Sequence, residues 1–166
     1  MKLADTDYDN AETGCCARVD RARWDEQEFQ WKNKPFLHDH VRSFLHIPLN
    51  FGSVISRDLA TVEDAEAYPE SPITLTEEVS LWGAELYVAV DRELPNASME
   101  HMSGTFLSKV FEGPYRDVGK WSAAMKTYVE RQGKELDKLL YYYATCPKCA
   151  KQFGVNTTVL FARVAD

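Results

Sequence analysis

The sequence predicts an α+β fold in which a β-α-β-β unit occurs twice, forming antiparallel sheets with two main helices and a ligand groove between the halves. Two extended segments each turn at a glycine into apolar residues at helical spacing, and two strand-like segments follow each helix. Among the 166 residues, 45% are hydrophobic, which is enough for a core shared by two half-domains. This element order is typical of helices packed on antiparallel sheets.

The N-terminal 40 residues are expected to form an irregular extension. The first ten are polar and acidic, as in a frayed tail, and the next thirty carry isolated aromatic residues without a regular period. The predicted boundaries are 1–40 for the extension and 41–166 for the domain, with 41–90 and 103–164 as its two halves.

The first half is expected to begin with a strand over residues 41–49. Ser53 then provides the N-cap of a helix that ends near Ala67. Alternating residues predict a strand over 73–79 and another over 81–90.

The second of these strands has two distinct faces. Trp82, Leu86 and Val88 are expected to face the core, and Glu85 and Tyr87 to lie on the opposite face.

The second half is expected to begin with a strand over residues 104–111. The turn Glu112-Gly113-Pro114-Tyr115 leads into a helix that ends at Gly133, with proline and glycine at positions typical of helix boundaries. Two further strands are predicted over 138–145 and 155–164.

Composition and charge restrict the function. The net charge of −7 and the lack of a basic stripe argue against nucleic-acid binding, because phosphate repulsion would not be offset. No apolar segment is long enough to cross a bilayer and no signal-like N-terminus is present, so we expect a cytoplasmic monomer without a membrane partner.

The turn Glu112-Gly113-Pro114-Tyr115, followed by a tryptophan-bearing helix in the second unit, resembles the GyrI-like domain. That domain is also the effector-binding module of multidrug-responsive transcription regulators. Three further segments resemble an uncharacterised bacterial branch whose members are labelled "hydrolase": Thr13-Gly14-Cys15-Cys16, His46-Ile47-Pro48-Leu49-Asn50-Phe51-Gly52 and Thr145-Cys146-Pro147-Lys148-Cys149-Ala150-Lys151.

The resemblance implies a groove between the halves that binds small aromatic or cationic molecules. It also implies that some relatives open strained cyclopropane rings of alkylating natural products, using acidic and aromatic groove residues. This sequence departs from the family in two ways. No helix-turn-helix pattern is evident, and Tyr141-Tyr142-Tyr143 with a Cys-x-x-Cys stands where many members have an acidic stretch.

Glu85 is the first candidate for catalysis, and Glu112 is the second. A carboxylate in an aromatic-lined groove has a pKa raised by desolvation, which suits a general acid or base or a cation-binding group. A solvated strand residue is the alternative for Glu85, and Glu112 also has an electrostatic reason to precede a helix N-terminus.

Aromatic residues are the candidates for ligand binding, through stacking or cation–π contacts. The ligand-binding candidates are Trp82, Tyr87, Tyr115, Trp121, Tyr142 and Tyr143. For Trp82 and Trp121 an ordinary core position is the competing interpretation. Consecutive tyrosines on a strand must alternate between faces, so either Tyr142 or Tyr141 and Tyr143 are expected to leave the core.

Cys146-Pro147-Lys148-Cys149 has three interpretations. It is half of a zinc site completed by Cys15, Cys16, His38 or His40; a redox dithiol; or a tight turn with buried, inert thiols. No cofactor other than this zinc is expected.

The function predicted first is binding of a small aromatic or cationic molecule in the groove. Hydrolysis of a reactive electrophile by a groove carboxylate and a zinc- or thiol-dependent function are the alternatives, so the sequence leaves catalysis open. No serine-hydrolase elbow, Walker loop or dinucleotide fingerprint occurs.

Overall fold

The computed structural model describes residues 19–44, 47–69, 72–145 and 147–165. In chain order the elements are α1 (Arg21–Trp24), β1 (Gln27–Phe44), β2 (Ile47–Pro48), α2 (Phe51–Asp64), β3 (Thr74–Ser80), β4 (Gly83–Ala89), β5 (Met99–Glu112), a 3-10 turn (Tyr115–Asp117), α3 (Val118–Arg131), β6 (Glu135–Tyr143), α4 (Pro147–Phe153) and β7 (Thr157–Ala165).

The chain divides into two compact units. The first unit consists of residues 32–103, and the second unit consists of residues 1–31 and 104–166. Strands β1 and β5 contribute residues to both units.

The two units share one strand order, which confirms the predicted duplication. In the first unit β1 pairs with β4, and β4 pairs with β3. In the second unit β5 pairs with β7, and β7 pairs with β6. All of these pairs are antiparallel. In each unit the last strand pairs with the first strand and with the strand that precedes it in the chain. The predicted α+β class is correct.

In the first unit, α2 packs on one face of the sheet. Its buried stripe is Val54, Asp58 and Val62, at a spacing of four residues, which aligns side chains along a helix. Val54 belongs to a cluster with Val41 of β1 and Leu86 of β4. Burial of these apolar side chains stabilises the docking of α2, at about 25 cal/mol per Å² removed from water.

In the second unit, the turn before α3 depends on glycine. Gly113 has a φ of +143°, a backbone conformation that side-chain-bearing residues rarely adopt. Its N–H donates to the carbonyl of Asn156, and the Asn156 side chain donates back to the Gly113 carbonyl. The predicted helix-initiating turn is therefore fixed by a reciprocal pair of hydrogen bonds.

The C-terminus of α3 has the hydrogen bonds of a Schellman motif. Gly133 has a φ of +71°, and its N–H donates to the carbonyl of Glu130. The N–H of Lys134 donates to the carbonyl of Val129. The predicted end of the helix at Gly133 is confirmed.

Both faces of the second unit's sheet are covered, which corrects the expectation that one set of tyrosines leaves the core. Tyr141 and Tyr143 lie on the face that packs against α3. Tyr142 lies on the opposite face, where its ring packs 6.0 Å from that of Trp24 in α1. The alternation of faces is as predicted, but the segment at residues 21–31 covers the second face.

Two local expectations are wrong. Residues 27–40 were expected to be irregular, but they form most of β1, whose burial alternates over only part of its length. The tight-turn interpretation of the Cys-x-x-Cys segment is also wrong, because Pro147–Phe153 forms helix α4 between β6 and β7.

Candidate functional site

A cluster of polar side chains lies on the sheet of the first unit, on the face opposite α2. Alternate residues of a strand share a face, so His38 and His40 of β1 lie beside Tyr87 and Glu85 of β4, with which they pair directly. Glu77 of β3 pairs with Glu85 from the other side. We call these five residues the Glu85 cluster.

The carboxylate of Glu85 contacts both imidazoles. Its Oε2 lies 2.5 Å from His38 Nε2, and its Oε1 lies 3.2 Å from His40 Nδ1. Because an ionised carboxylate only accepts hydrogen bonds, both of these ring nitrogens donate. The Glu85 side chain is 23% exposed, and that of His40 is 51% exposed. The cluster is therefore half-buried and open to water at His40.

Tyr87 contacts both His38 and Glu77. Its ring stacks on that of His38, with centroids 5.1 Å apart and an interplanar angle of 15°. Its hydroxyl donates to Glu77 Oε1 at 3.2 Å. Burial, followed by the charge and hydrogen bond of Glu77, raises the pKa of Tyr87 above its usual value, so the phenol remains protonated.

Gly83 makes room for the His40 ring. A β-carbon at this position would lie 2.5 Å from His40 Cε1 and 2.7 Å from Nε2, closer than real β-carbons approach other atoms. Glycine in a strand often marks such a close approach. The imidazole of His40 is therefore held between Glu85 and the bare backbone of β4.

Glu77 and Glu85 are like charges directly opposite each other on neighbouring strands. Such pairs destabilise a sheet, typically by about 0.2–1 kcal/mol. The contacts with His38, His40 and Tyr87 offset this repulsion. A sequence feature that works against local stability is typical of a functional site.

No group of three or more His, Cys, Asp or Glu side chains is arranged to hold a metal ion within the described residues. In the Glu85 cluster, the ring nitrogens nearest the carboxylate donate their hydrogens to it, so these two nitrogens have no lone pair for a metal ion.

Three of the predicted site residues lie in the first unit. Glu85 and Tyr87 belong to the cluster, on the face where the sequence placed them. Trp82 lies in the two-residue turn between β3 and β4, 58% exposed, with its ring 5.6 Å from that of Phe44. The competing expectation of a core position for Trp82 is wrong, because β4 begins at Gly83, two residues after the predicted start of the strand.

The other candidate carboxylate and aromatic residues lie in the second unit. Glu112 forms an exposed ion pair with Arg21 at 3.4 Å. Tyr115 is 48% exposed, and its ring lies 5.5 Å from that of Tyr143.

Trp121 and Tyr142 are buried in the core of the second unit. Trp121 stacks on Phe111, with centroids 6.1 Å apart. The core interpretation of Trp121 therefore agrees with the structure, whereas a ligand-binding role for either residue stays a prediction.

The metal hypothesis rests largely on residues outside the described part of the chain, namely Cys15, Cys16 and Cys146. Cys149 lies in α4 and is buried. The zinc and redox interpretations therefore stay predictions.

The sequence offered His38 and His40 only as possible zinc ligands and gave no indication of a carboxylate beside them. The missing fact is the pairing of β1 with β4, which brings together residues 45 to 47 positions apart. A strand assignment for residues 36–42 would have placed both histidines on one face, but their partners on β4 follow only from the strand register.

No helix of the described residues is long and apolar enough to cross a membrane. No curated protein shows a significant sequence match to the chain.

Several solved structures share the fold at low sequence identity. An uncharacterized conserved protein from Listeria innocua superposes with a TM-score of 0.64 at 11% identity, covering 97% of this chain and 99% of that one. EcmrR in a DNA complex has a TM-score of 0.59 at 12% identity, covering 86% of this chain and 58% of that one. SAV2435 bound to tetraphenylphosphonium has a TM-score of 0.52 at 9% identity, covering 85% of this chain and 94% of that one.

The presence of a DNA complex among these structures means that the expected lack of nucleic-acid binding rests on charge alone and stays a prediction.

At the level of the whole sequence, the family model described as "Bacterial hydrolase" matches residues 6–164, which is nearly the full length. The chain belongs to this bacterial hydrolase family.

Proposed function

We propose that this protein binds a small aromatic cation at the Glu85 cluster. The observation that carries the proposal is the combination of a half-buried carboxylate, Glu85, with a stacked aromatic pair, His38 and Tyr87. A carboxylate attracts the cationic centre, and aromatic faces bind flat apolar groups and cations in a partly desolvated site.

Charge in the surroundings supports the same ligand class. Glu77 adds a second carboxylate to the face, and the net charge of the chain is −7. The resemblance of the sequence to GyrI-like domains and the tetraphenylphosphonium complex of SAV2435 point to the same class of molecule.

Calorimetric titration with tetraphenylphosphonium tests the proposal. We expect Glu85→Gln to weaken binding about 5- to 30-fold, because about 1–2 kcal/mol of charge attraction is lost. Glu112→Gln is the matched control, since it removes an exposed carboxylate of the second unit, and it should leave the affinity unchanged. Lack of binding below millimolar concentration, or equal affinity of wild type and Glu85→Gln, would exclude this function.

Hydrolysis of a reactive electrophile is the second candidate. The specific observation in its favour is the contact of Glu85 with two imidazoles, an arrangement that supports proton transfer, and the family description points the same way. The test is loss of the dienone absorption of a spirocyclopropane dienone, with Glu85→Gln beside the wild type. An inert wild-type protein would remove this candidate and leave the binding proposal standing.

A further inference from the structure

Building on the hydrolase candidate, we propose that His40 is the proton-transfer residue of the Glu85 cluster, and that Glu85 and Gly83 are the residues that position it. In this assignment Glu85 acts through His40 and does not itself accept a proton from water. The inference rests on geometry within the first unit alone.

The two ring nitrogens of His40 differ in their contacts. His40 donates through Nδ1 to Glu85, which leaves Nε2 as the nitrogen with the lone pair in the neutral ring. No residue in the described ranges makes a hydrogen bond to this Nε2. An imidazole on a half-exposed side chain, with one nitrogen bonded to a carboxylate and the other able to accept a proton, has the arrangement of a general base.

His40 is more exposed than His38. The ring of His38 is stacked against Tyr87, and its side chain is 30% exposed, whereas that of His40 is 51% exposed. A water molecule and a substrate therefore reach His40 more readily. His38 serves to hold the second oxygen of Glu85 and to fix the orientation of the carboxylate.

The imidazole of His40 closely approaches Gly83. The Cε1 and Nε2 atoms of His40 occupy the space that a β-carbon would take. Any other residue at position 83 would push the ring away from its place beside Glu85. The absence of a side chain at this position is therefore a condition for the orientation of His40.

The proposed step balances without a metal or redox partner. Neutral Nε2 of His40 takes a proton from water while the water oxygen forms a bond to a ring carbon of the spirocyclopropane. The strained carbon–carbon bond breaks, and its electron pair passes into the dienone to give a phenolate. The imidazolium then returns the proton to the phenolate oxygen, and the Glu85 carboxylate stabilises the imidazolium between the two transfers.

The tautomer of His40 provides a test that is independent of catalysis. Two-bond proton–nitrogen NMR spectra at a pH where the imidazoles are neutral should show His40 in the Nδ1–H form, which is the minor form of a free imidazole side chain. Gly83→Ala should move the ring and return His40 to the Nε2–H form. Gly52→Ala is the control, because a β-carbon there contacts nothing within 4 Å, and it should leave the spectrum unchanged.

Turnover of the spirocyclopropane dienone tests the chemical role. We expect His40→Ala to lower kcat about 10²- to 10⁴-fold with little change in KM, and added free imidazole to restore part of the rate. His38→Gln should reduce the rate less, and imidazole should not restore it.

The outcomes separate the inference from the hydrolase candidate. An Nε2–H tautomer of His40 in the wild type, or full turnover by His40→Ala, would overturn the inference while hydrolysis stands. An inert wild-type protein would overturn the hydrolase candidate and the proton-transfer role together.

Discussion

Asp58 in α2 and Asp39 in β1 are neighbouring carboxyl groups on the face of the sheet opposite the Glu85 cluster, and Arg57 Nε lies 3.9 Å from Asp58 Oδ1. Arg57 also donates to Asp39, at 2.5 Å. Burial raises the pKa of Asp58 to about 7, and the neighbouring Asp39 carboxylate adds to this shift. Burial also acts to raise the pKa of Asp39, but hydrogen bonds from Arg57 and the His40 N–H lower it overall. Asp58 therefore carries the proton of the pair.

This pair predicts a pH-dependent stability. Because the pKa of Asp58 is raised on folding from 3.8, the stabilisation is complete below about pH 4 and is lost as the pH rises towards 7. For one proton the free energy of unfolding falls by up to about 1.4 kcal/mol per pH unit in this window. Asp58→Asn should abolish this contribution. Urea unfolding at pH 5 and pH 8 measures the difference, with Asp64→Asn at an exposed position of α2 as the control. Identical pH dependence of wild type and Asp58→Asn would contradict the assignment.

Substitution of Trp121 should lower the free energy of unfolding much more than substitution of Trp82. Trp121→Ala removes a buried ring from the core under α3, so we expect the free energy of unfolding to fall by about 3–5 kcal/mol. Trp82→Ala alters an exposed ring in a turn and should change stability by less than about 1 kcal/mol. Chemical denaturation of both variants compares them directly. A large loss for Trp82→Ala would show that its ring is covered in solution.

The glycines of α3 provide a test of the helix end. Gly133→Ala places a β-carbon at a φ of +71°, and we expect a loss of about 1–2 kcal/mol. Gly119→Ala lies in the first turn of the same helix with open space around it, and it should stabilise by up to about 1 kcal/mol. Thermal unfolding of the two variants should shift in opposite directions. A Gly133→Ala variant that unfolds at the same temperature as the wild type, or at a higher one, would contradict an energetic role for the Schellman end.

Tyr87→Phe tests the link between Tyr87 and Glu77. Removing the hydroxyl deletes a hydrogen bond to a charged acceptor, so we expect a loss of about 1.5–3 kcal/mol in the free energy of unfolding. In the background of Glu77→Gln the same change should cost less, because the acceptor is then neutral. A double-mutant cycle measures this coupling. Equal costs in both backgrounds would mean that the charge of Glu77 does not contribute.

The zinc hypothesis is tested by elemental analysis of protein purified without chelator. A structural site should retain close to one zinc ion per chain, because such binding contributes directly to folding. Less than about 0.1 zinc per chain would exclude it. Cys149→Ser is the informative variant, since it should release the metal if Cys149 is a ligand.

Sequence periodicity predicted α2 and α3 because each has a stripe of apolar residues at helical spacing, but Ser53 lies inside α2, whose N-cap is Asn50. Gly113 and Gly133 mark the boundaries of the α3 region in the structure as they do in the sequence. Periodicity failed for residues 27–40, where the burial of β1 alternates for only part of its length. Trp82 was also wrongly predicted to lie in a strand, because the two-residue turn at 81–82 contains no glycine, proline or asparagine that would indicate a turn.

The sequence predicted only part of the candidate site. The face of Glu85 and Tyr87 followed from the alternation of β4, since side-chain direction along a strand is a local property. The proximity of His38 and His40 did not, because cross-strand pairs form between residues that are distant along the chain.

The sequence by itself therefore determined the order of the elements, the duplication and the face on which Glu85 lies, all of which depend on local periodicity and end signals. Only the tertiary structure decided that two imidazoles contact Glu85, that Gly83 makes room for one of them, and that Asp58 is buried beside Asp39. These contacts arise from strand register and helix docking, where burial and hydrogen bonding join segments that have no local relationship in the chain.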